Sequence, residues 1–532
     1  MRVRNRETKS STFEDYCAIL RSGQFLIVLL GLVLIHAFVV LILGISKPIL
    51  DFHSFRQSQT ALSIYWLLHG GPILRYETPV LGYPWSIPFE FPLYQWLVAI
   101  VGSLGVSIEL AGRVVNFAFY ICTLILMKSL FCLLQLSTRA FLITAILFLC
   151  SPLYLYWSRT VMIEPCALFF SALFLMLLIR AIRSPKFAVP PIVGAMLAGS
   201  AAALAKSTTF PAFLAIGGLE ILRDAYVSWR EDHLSTRLPV LTGVVAACII
   251  SLFVGFMWVA YSDAIKTANP FARNFTSTSS GFLIWNLGTW QQRFSLYLWG
   301  WIFPLRIMGD TVGFGYLLGA ILIIYALRRS YHSGIILSCV VTSFLPIMTF
   351  TNLYIRHSYY QYASGVFIIV AMGLGVAALY DSRRQMIGVL ALLFLVSGEC
   401  GFFYYRFARY LVADYSEDRM MRLAALAREK TEPDESLLGL GFSWSSELPY
   451  LSQRKALLLN DDTEEGLMQR VFDNPQAFLG NHRLGAIVYC RDNLKSYGDK
   501  VAIVDKFLAG RSILGEVSDC LLVSPSRGKD TR

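Results

Sequence analysis

Residues 25–45 read FLIVLLGLVLIHAFVVLILGI, and shortly afterwards the chain continues Asp51-Phe52-His53-Ser54-Phe55-Arg56-Gln57-Ser58-Gln59-Thr60-Ala61. The first run is long enough to cross a bilayer, which takes about 20 apolar residues. It is too long for the apolar core of a secretion signal and lacks a cleavage site, so it is expected to stay as a helix. The stretch from 51 to 107 should then be a connection between membrane helices, ordinarily polar and loose. Instead it is crowded with aromatics and prolines, as in Gly82-Tyr83-Pro84-Trp85 and Phe89-Glu90-Phe91-Pro92-Leu93-Tyr94-Gln95-Trp96. It also opens on a carboxylate where the chain leaves the bilayer. Residues 60–69 are amphipathic and suit a helix lying in the membrane interface. A folded reaction loop is expected here, with the rest of the chain as its scaffold.

Working outward, 56% of the 532 residues are hydrophobic, and the mean hydropathy is +0.56. Repeated apolar runs make this a polytopic α-helical membrane protein and not a large soluble core. About eleven spans are expected, near 25–46, 109–134, 139–157, 164–182, 188–205, 208–222, 238–260, 312–327, 333–351, 359–380 and 385–404. Arg2, Arg4, Arg6, Lys9 and Arg21 precede the first span. Arg180, Arg183, Lys186, Arg223, Arg230, Arg237, Arg328, Arg329, Arg383 and Arg384 fall in loops on the same side. The positive-inside rule puts that side, with residues 1–24, in the cytoplasm, and an odd number of spans puts the C-terminus outside. The formal charge of +11 is spread over these loops. It forms no single stripe, which argues for membrane topology and against nucleic acid as a partner.

The expected organisation is a transmembrane domain over 25–412, carrying a first outer loop at 47–108 and a second at 262–311. A small extracytoplasmic α/β domain follows over 413–532, where a charged helical pattern (417–430) precedes short apolar runs at 436–441, 455–459, 485–489 and 520–524. Seven of the ten cysteines sit inside apolar runs and Cys17 near the N-terminus. Cys490 and Cys520 lie in the soluble part, where an oxidising compartment would let them bridge. No Cys-x-x-Cys or His-rich spacing indicates a metal site, and no cofactor is expected. No glycine-rich phosphate loop is present, which argues against a soluble nucleotide-sugar donor.

The residues able to carry chemistry collect on the outer side. Asp51 is either a general base or the N-cap of the helix that follows. Glu164, in Ile163-Glu164-Pro165, is either a second carboxylate that binds the acceptor or orients the base, or a first-turn acid favoured by the helix dipole. Lys206 ends an Ala/Leu run, and either holds a phosphate or snorkels to the interface. Arg356 and His357 precede Tyr359 and Tyr360. Arginine suits a phosphate, while tyrosines here also suit an aromatic belt. Arg56 and Arg159 either reach a phosphate or pair with Asp51 and Glu164.

At these residues the chain resembles the GT-C glycosyltransferases, in the bacterial branch of the protein-mannosyltransferase and aminoarabinose-transferase superfamily. Asp51, Pro92-Leu93-Tyr94-Gln95-Trp96, Ile163-Glu164-Pro165, Ala205-Lys206 and His357-Ser358-Tyr359-Tyr360 carry the resemblance, which spans roughly 25–404. It implies an enzyme of the bacterial inner membrane that moves a sugar from a polyprenyl-phosphate donor to a lipid, glycan or protein acceptor on the outer face, with inversion. Asp51 would be the base, and lysine and arginine side chains would hold the phosphate. Two positions depart from the pattern. Phe52 and His53 follow Asp51 where mannosyltransferases carry Asp-Glu, and Glu90-Phe91 stand where aminoarabinose transferases carry a Lys. The rival readings are a transporter or flippase of lipid-linked sugars, and a polysaccharide ligase or polymerase. The transporter would place ionisable residues at mid-helix.

Overall fold

The computed structural model describes residues 23–184 and 187–527. The basic segment before the first helix, including Cys17, and Lys186 lie outside them. The chain divides into two compact units. One gathers the residues up to 45 with 113–256 and 283–412, and the other gathers 46–112, 257–282 and 413–532.

The first unit is helical. Its elements include Gly23–Gly44 (α1), Ile108–Leu133 (α2), Thr138–Cys150 (α3), Glu164–Arg183 (α4), Val189–Ala205 (α5) and Phe210–Arg230 (α6). Leu234–Thr267 (α7), Tyr316–Arg329 (α8), Ser333–Thr349 (α9), Gly365–Tyr380 (α10) and Gln385–Val412 (α11) follow. Among the described residues, six helices are long and apolar enough to cross a membrane, and five shorter ones are apolar. Helix α1 is hydrophobic apart from Gln24 at its start and His36. Leu26, Val33, Ala37 and Val40 are buried, while Ile27, Leu32, Ile35 and Ile42 are exposed. A face whose exposed residues are isoleucine and leucine suits lipid and not water. Glycine lets the helices of this unit approach closely. A Cβ at Gly373 of α10 would overlap Thr144 of α3, and one at Gly375 would lie 2.8 Å from the Leu322 carbonyl of α8. Small residues at such crossings are how apolar helices gain contact where burial from water offers little.

One expected span is corrected. The run 139–157 is not one helix: Ser151 turns to φ −52°, ψ 121°, and a short helix restarts at Pro152–Trp157. Pro152 has no N–H to continue the ladder but is well suited to open a new helix. The second loop carries helix as well. Helix α7 continues to Thr267, and Tyr297–Met308 coils as a wide helix that buries Leu298, Ile302 and Ile307.

The second unit holds a five-stranded sheet: Glu435–Leu440 (β1), Lys455–Leu459 (β2), Arg483–Cys490 (β3), Arg511–Val517 (β4) and Cys520–Arg527 (β5). The order is β2-β1-β3-β5-β4. Strand β1 is parallel to β2 and β3, whereas β5 runs antiparallel to β3 and β4. The expected small α/β arrangement is therefore present, with β4 unforeseen. Cys490 and Cys520 face each other on β3 and β5 and are joined as a disulfide.

The aromatic loop closes the open edge of this sheet. Leu81 bridges antiparallel to Leu457, the Ala456 N–H donates to the Pro79 carbonyl at 3.0 Å, and the Leu458 N–H donates to Val80 at 2.8 Å. An uncovered edge strand would invite aggregation, and the loop removes that hazard. Trp85 enters the sheet's core with Leu438, Leu457 and Ile487. Lys455 pairs with Glu77 at 2.6 Å and lies 4.6 Å over the Trp66 ring. The helix Ser54–Leu68 divides in two: Tyr65–Leu68 are half-buried and His69 after them is exposed, so the amphipathic face expected over 60–69 is confined to its second half. In its first half, residues 57–64 are all buried, and the helix packs against Leu93–Gly102 and Glu447–Ser452.

Candidate active site

In the helical unit, Glu164 opens α4 with Pro165 in its first turn, and Lys206 caps the C-terminal end of α5 with extended backbone. These two ends meet. Lys206 Nζ forms an ion pair with Glu164 Oε1, and the side chains are only 3% and 2% exposed. Glu164 Oε2 has no hydrogen-bond partner among the described residues. The short helical turn Ser358–Ala363 brings two tyrosines over the cation: Lys206 Nζ lies 4.3 Å from the Tyr360 ring centre and 5.0 Å from that of Tyr359. His357 stacks on Tyr359 at 5.3 Å, and Trp157 meets the Tyr359 ring edge-on at 5.7 Å. Glu164, Lys206, Tyr359 and Tyr360 thus converge from three separate stretches of sequence, with His357 behind them.

Arg159 is buried, its guanidinium 4.5 Å from the Tyr156 ring. Arg356 is exposed at the end of the helix Thr351–Arg356. Asn116 was not foreseen. Its amide donates to the Thr160 carbonyl at 2.5 Å and the Met162 carbonyl at 2.7 Å, which pins the turn ahead of Glu164. Asp310 was also missed. It is fully buried, accepts from Gln361 at 3.0 Å and faces Arg406 at 3.6 Å. Glu399 lies in the middle of α11, fully buried, with neither carboxylate oxygen hydrogen-bonded among the described residues.

In the second unit Asp51 is 3% exposed. The Gln57 amide donates to its Oδ1 at 2.5 Å and to the Phe52 carbonyl at 3.0 Å. The N-cap of the helix that follows is His53, at φ 59° and without a side-chain cap bond, so Asp51 is not the cap. Arg56 pairs with Glu90 at 2.5 Å and donates to Gln59 at the same distance. Tyr76 ties the Glu90 segment down by donating to the Glu90 carbonyl at 2.9 Å. Burial, joined by the nearby Glu90 carboxylate, pushes the Tyr76 hydroxyl well above its usual range. Lys266, buried, pairs with Asp263 at 2.8 Å and lies 5.3 Å from the Phe89 ring. Glu90 and Lys266 were not among the sequence candidates. Glu90 was the one acid between two phenylalanines, a signal that was available.

Glu447, outside the membrane helices, accepts a hydrogen bond from Ser54 at 2.5 Å. Burial raises its pKa above the ordinary carboxylate value, partly opposed by the Ser54 bond.

No protein-family model matches the chain, and no curated protein matches its sequence. Solved structures do match. ArnT from Cupriavidus metallidurans bound to undecaprenyl phosphate superposes with a TM-score of 0.60 at 13% identity, covering 94% of this chain and 98% of that one. The oligosaccharyltransferase of Archaeoglobus fulgidus in its apo form gives 0.59 at 11% identity, over 96% and 75%. The arabinofuranosyltransferase AftD from Mycobacteria gives 0.52 at 13%, over 95% of this chain and 40% of that one. All are GT-C membrane glycosyltransferases, and the fold of this chain is theirs.

Proposed function

We propose that this chain is an integral-membrane glycosyltransferase that moves a sugar from a polyprenyl-phosphate-linked donor to a lipid, glycan or protein acceptor on the outer face of the membrane. One observation carries the reading: Glu164, Lys206, Tyr359 and Tyr360, singled out as separate motifs, form one buried cluster around a cation. A cation held dry beside a carboxylate and under aromatic rings is a place where a lipid phosphate can be met by charge-assisted hydrogen bonds. The fold shared with an undecaprenyl-phosphate-bound transferase supports the same donor class by analogy.

In this reading Asp51 is the general base. Gln57 orients its carboxylate, which takes the proton of the acceptor hydroxyl as the oxygen attacks the anomeric carbon. The bond from that carbon to the phosphate oxygen breaks on the opposite face, inverting the centre and releasing the polyprenyl phosphate. Lys206, with Arg356, Arg159 and Arg56, offsets the charge of the leaving phosphate, and His357, Tyr359 and Tyr360 shape its site. Because phosphate is a good leaving group, positioning and charge neutralisation supply most of the catalysis. In the same reading the side with the basic loops and the N-terminus faces the cytoplasm, with residues 413–532 outside, as the positive-inside rule favours.

The test is transfer of label in membranes containing the protein, offered polyprenyl-phosphate sugars or nucleotide sugars. Transfer from the lipid-linked donor alone is expected. Use of the nucleotide sugar in preference, or no transfer from any donor, would overturn the reading. The transport reading has one observation in its favour, the mid-helix Glu399. A Glu399→Gln variant that loses uptake or flipping of lipid-linked sugar while the chain shows no transferase activity would select it.

A further inference from the structure

We infer that the helical unit holds a second lipid site, in which an anionic phospholipid places its phosphate at Arg183 and Arg223 and one hydrocarbon chain between the helices. A cavity of about 640 Å³ lies among α2, α4, α6, α9 and α10. It touches α4 from Arg183, in the last turn, to Leu168, near the first. Those fifteen positions (183 − 168) make about 22 Å at 1.5 Å per residue. The slot therefore reaches past the middle of a hydrocarbon core about 30 Å thick. Its walls are side chains such as Met127, Leu175, Ile179, Ile216 and Val370. A space this long and this apolar suits a hydrocarbon chain, whereas a sugar needs convergent polar groups.

The polar lining gathers at one end. Gln135 follows the end of α2, Arg183 ends α4, His332 precedes α9, and Glu220 and Arg223 stand on α6 at and just past its middle, where its apolar run gives way to charged residues. Arg183 lies 3.9 Å and Arg223 3.5 Å from the one carboxylate of Glu220, so two guanidiniums share a single counter-charge. One positive charge is left over at the mouth of an apolar slot, which is the complement of an anionic lipid head group. The guanidinium fork matches phosphate oxygens, and basic pockets between membrane helices on the cytoplasmic side select such head groups. This is the end at which the basic loops lie. Glu164 and Lys206 belong to the opposite end, and Leu168 stands one helical turn from Glu164. The lipid's chain tip would therefore underlie the Glu164–Lys206 cluster without sharing its phosphate site.

The test is native mass spectrometry of the full-length protein, delipidated and then offered phosphatidylglycerol or phosphatidylcholine. Retention of phosphatidylglycerol at least tenfold over phosphatidylcholine is expected. It should be lost in the double variant Arg183→Gln, Arg223→Gln, and also in Ala172→Phe, which fills the slot from α4. Should the double variant fail to fold, Ala172→Phe and the wild-type preference decide. Equal retention of the two lipids, or phosphatidylglycerol binding unchanged in a folded variant, would overturn the inference. So would undecaprenyl phosphate displacing phosphatidylglycerol in a manner sensitive to Lys206 but not to Arg183, because the slot would then house the donor's own chain.

Discussion

Lys206 and Glu164 are two charges taken almost wholly out of water, and each is tolerable only because of the other. Removing one partner of such a pair costs about 3–5 kcal/mol, since the survivor is left charged and unmatched. Lys206→Met alone should therefore lower thermal stability clearly. The double variant Lys206→Met, Glu164→Gln should recover most of that stability, yet remain unable to bind donor. A purely structural pair would instead regain donor binding along with stability, and melting curves read beside donor binding separate the two. Glu447 makes a second prediction. Its pKa is raised above the ordinary 4.5, so the stability it contributes is fully present below that value and is lost as pH rises through the raised one. Glu447→Gln keeps an acceptor for Ser54 and should flatten the decline of melting temperature from acid towards neutral pH. An unchanged slope would contradict the assignment. At this scale the sequence was informative where an ionisable residue interrupted apolar text, as Asp51, Glu164 and Lys206 do. It was poor where the meaning lies in the partner: Glu90 beside Arg56, and Lys266 beside Asp263, become a set only in space.

Among the elements, the loop from 46 to 112 owes its order to the sheet. Trp85 supplies part of the sheet's core, and residues 79–82 hydrogen-bond to its edge strand β2. Trp85→Ala should cost about 3–5 kcal/mol, the usual penalty for truncating a buried aromatic. It should also reduce transfer more than a surface change of equal size, because the same loop carries Asp51. Limited proteolysis of the variant should cut within 46–112 first, and cutting elsewhere would contradict this. The disulfide between Cys490 and Cys520, 30 residues apart, should add about 3 kcal/mol by restricting the unfolded chain. A reduced sample that melts at the same temperature would remove that contribution from the account. Most helices were legible because a run of about 20 apolar residues has few alternatives. Those that were not depend on local chemistry that hydropathy averages away: the break at Ser151–Pro152, and the wide coil at 297–308. Strand β4, RSILGEV, has too few consecutive apolar residues to announce itself.

For the whole molecule, the order of apolar runs and motifs was enough to anticipate a GT-C fold, and the solved structures share it. What the order could not convey is that 46–112, 257–282 and 413–532 form one compact unit. That grouping joins segments hundreds of residues apart, and no local pattern encodes it. The central claim is that this architecture serves sugar transfer with Asp51 as the base. The most direct measurement is transfer from labelled polyprenyl-phosphate sugar in membranes holding equal amounts of wild type and Asp51→Asn. An amide cannot take the acceptor's proton, and a positioned base contributes about 10²–10⁴-fold. The account predicts a loss of that order, with donor binding and melting temperature unchanged. Transfer by Asp51→Asn at the wild-type rate would contradict it.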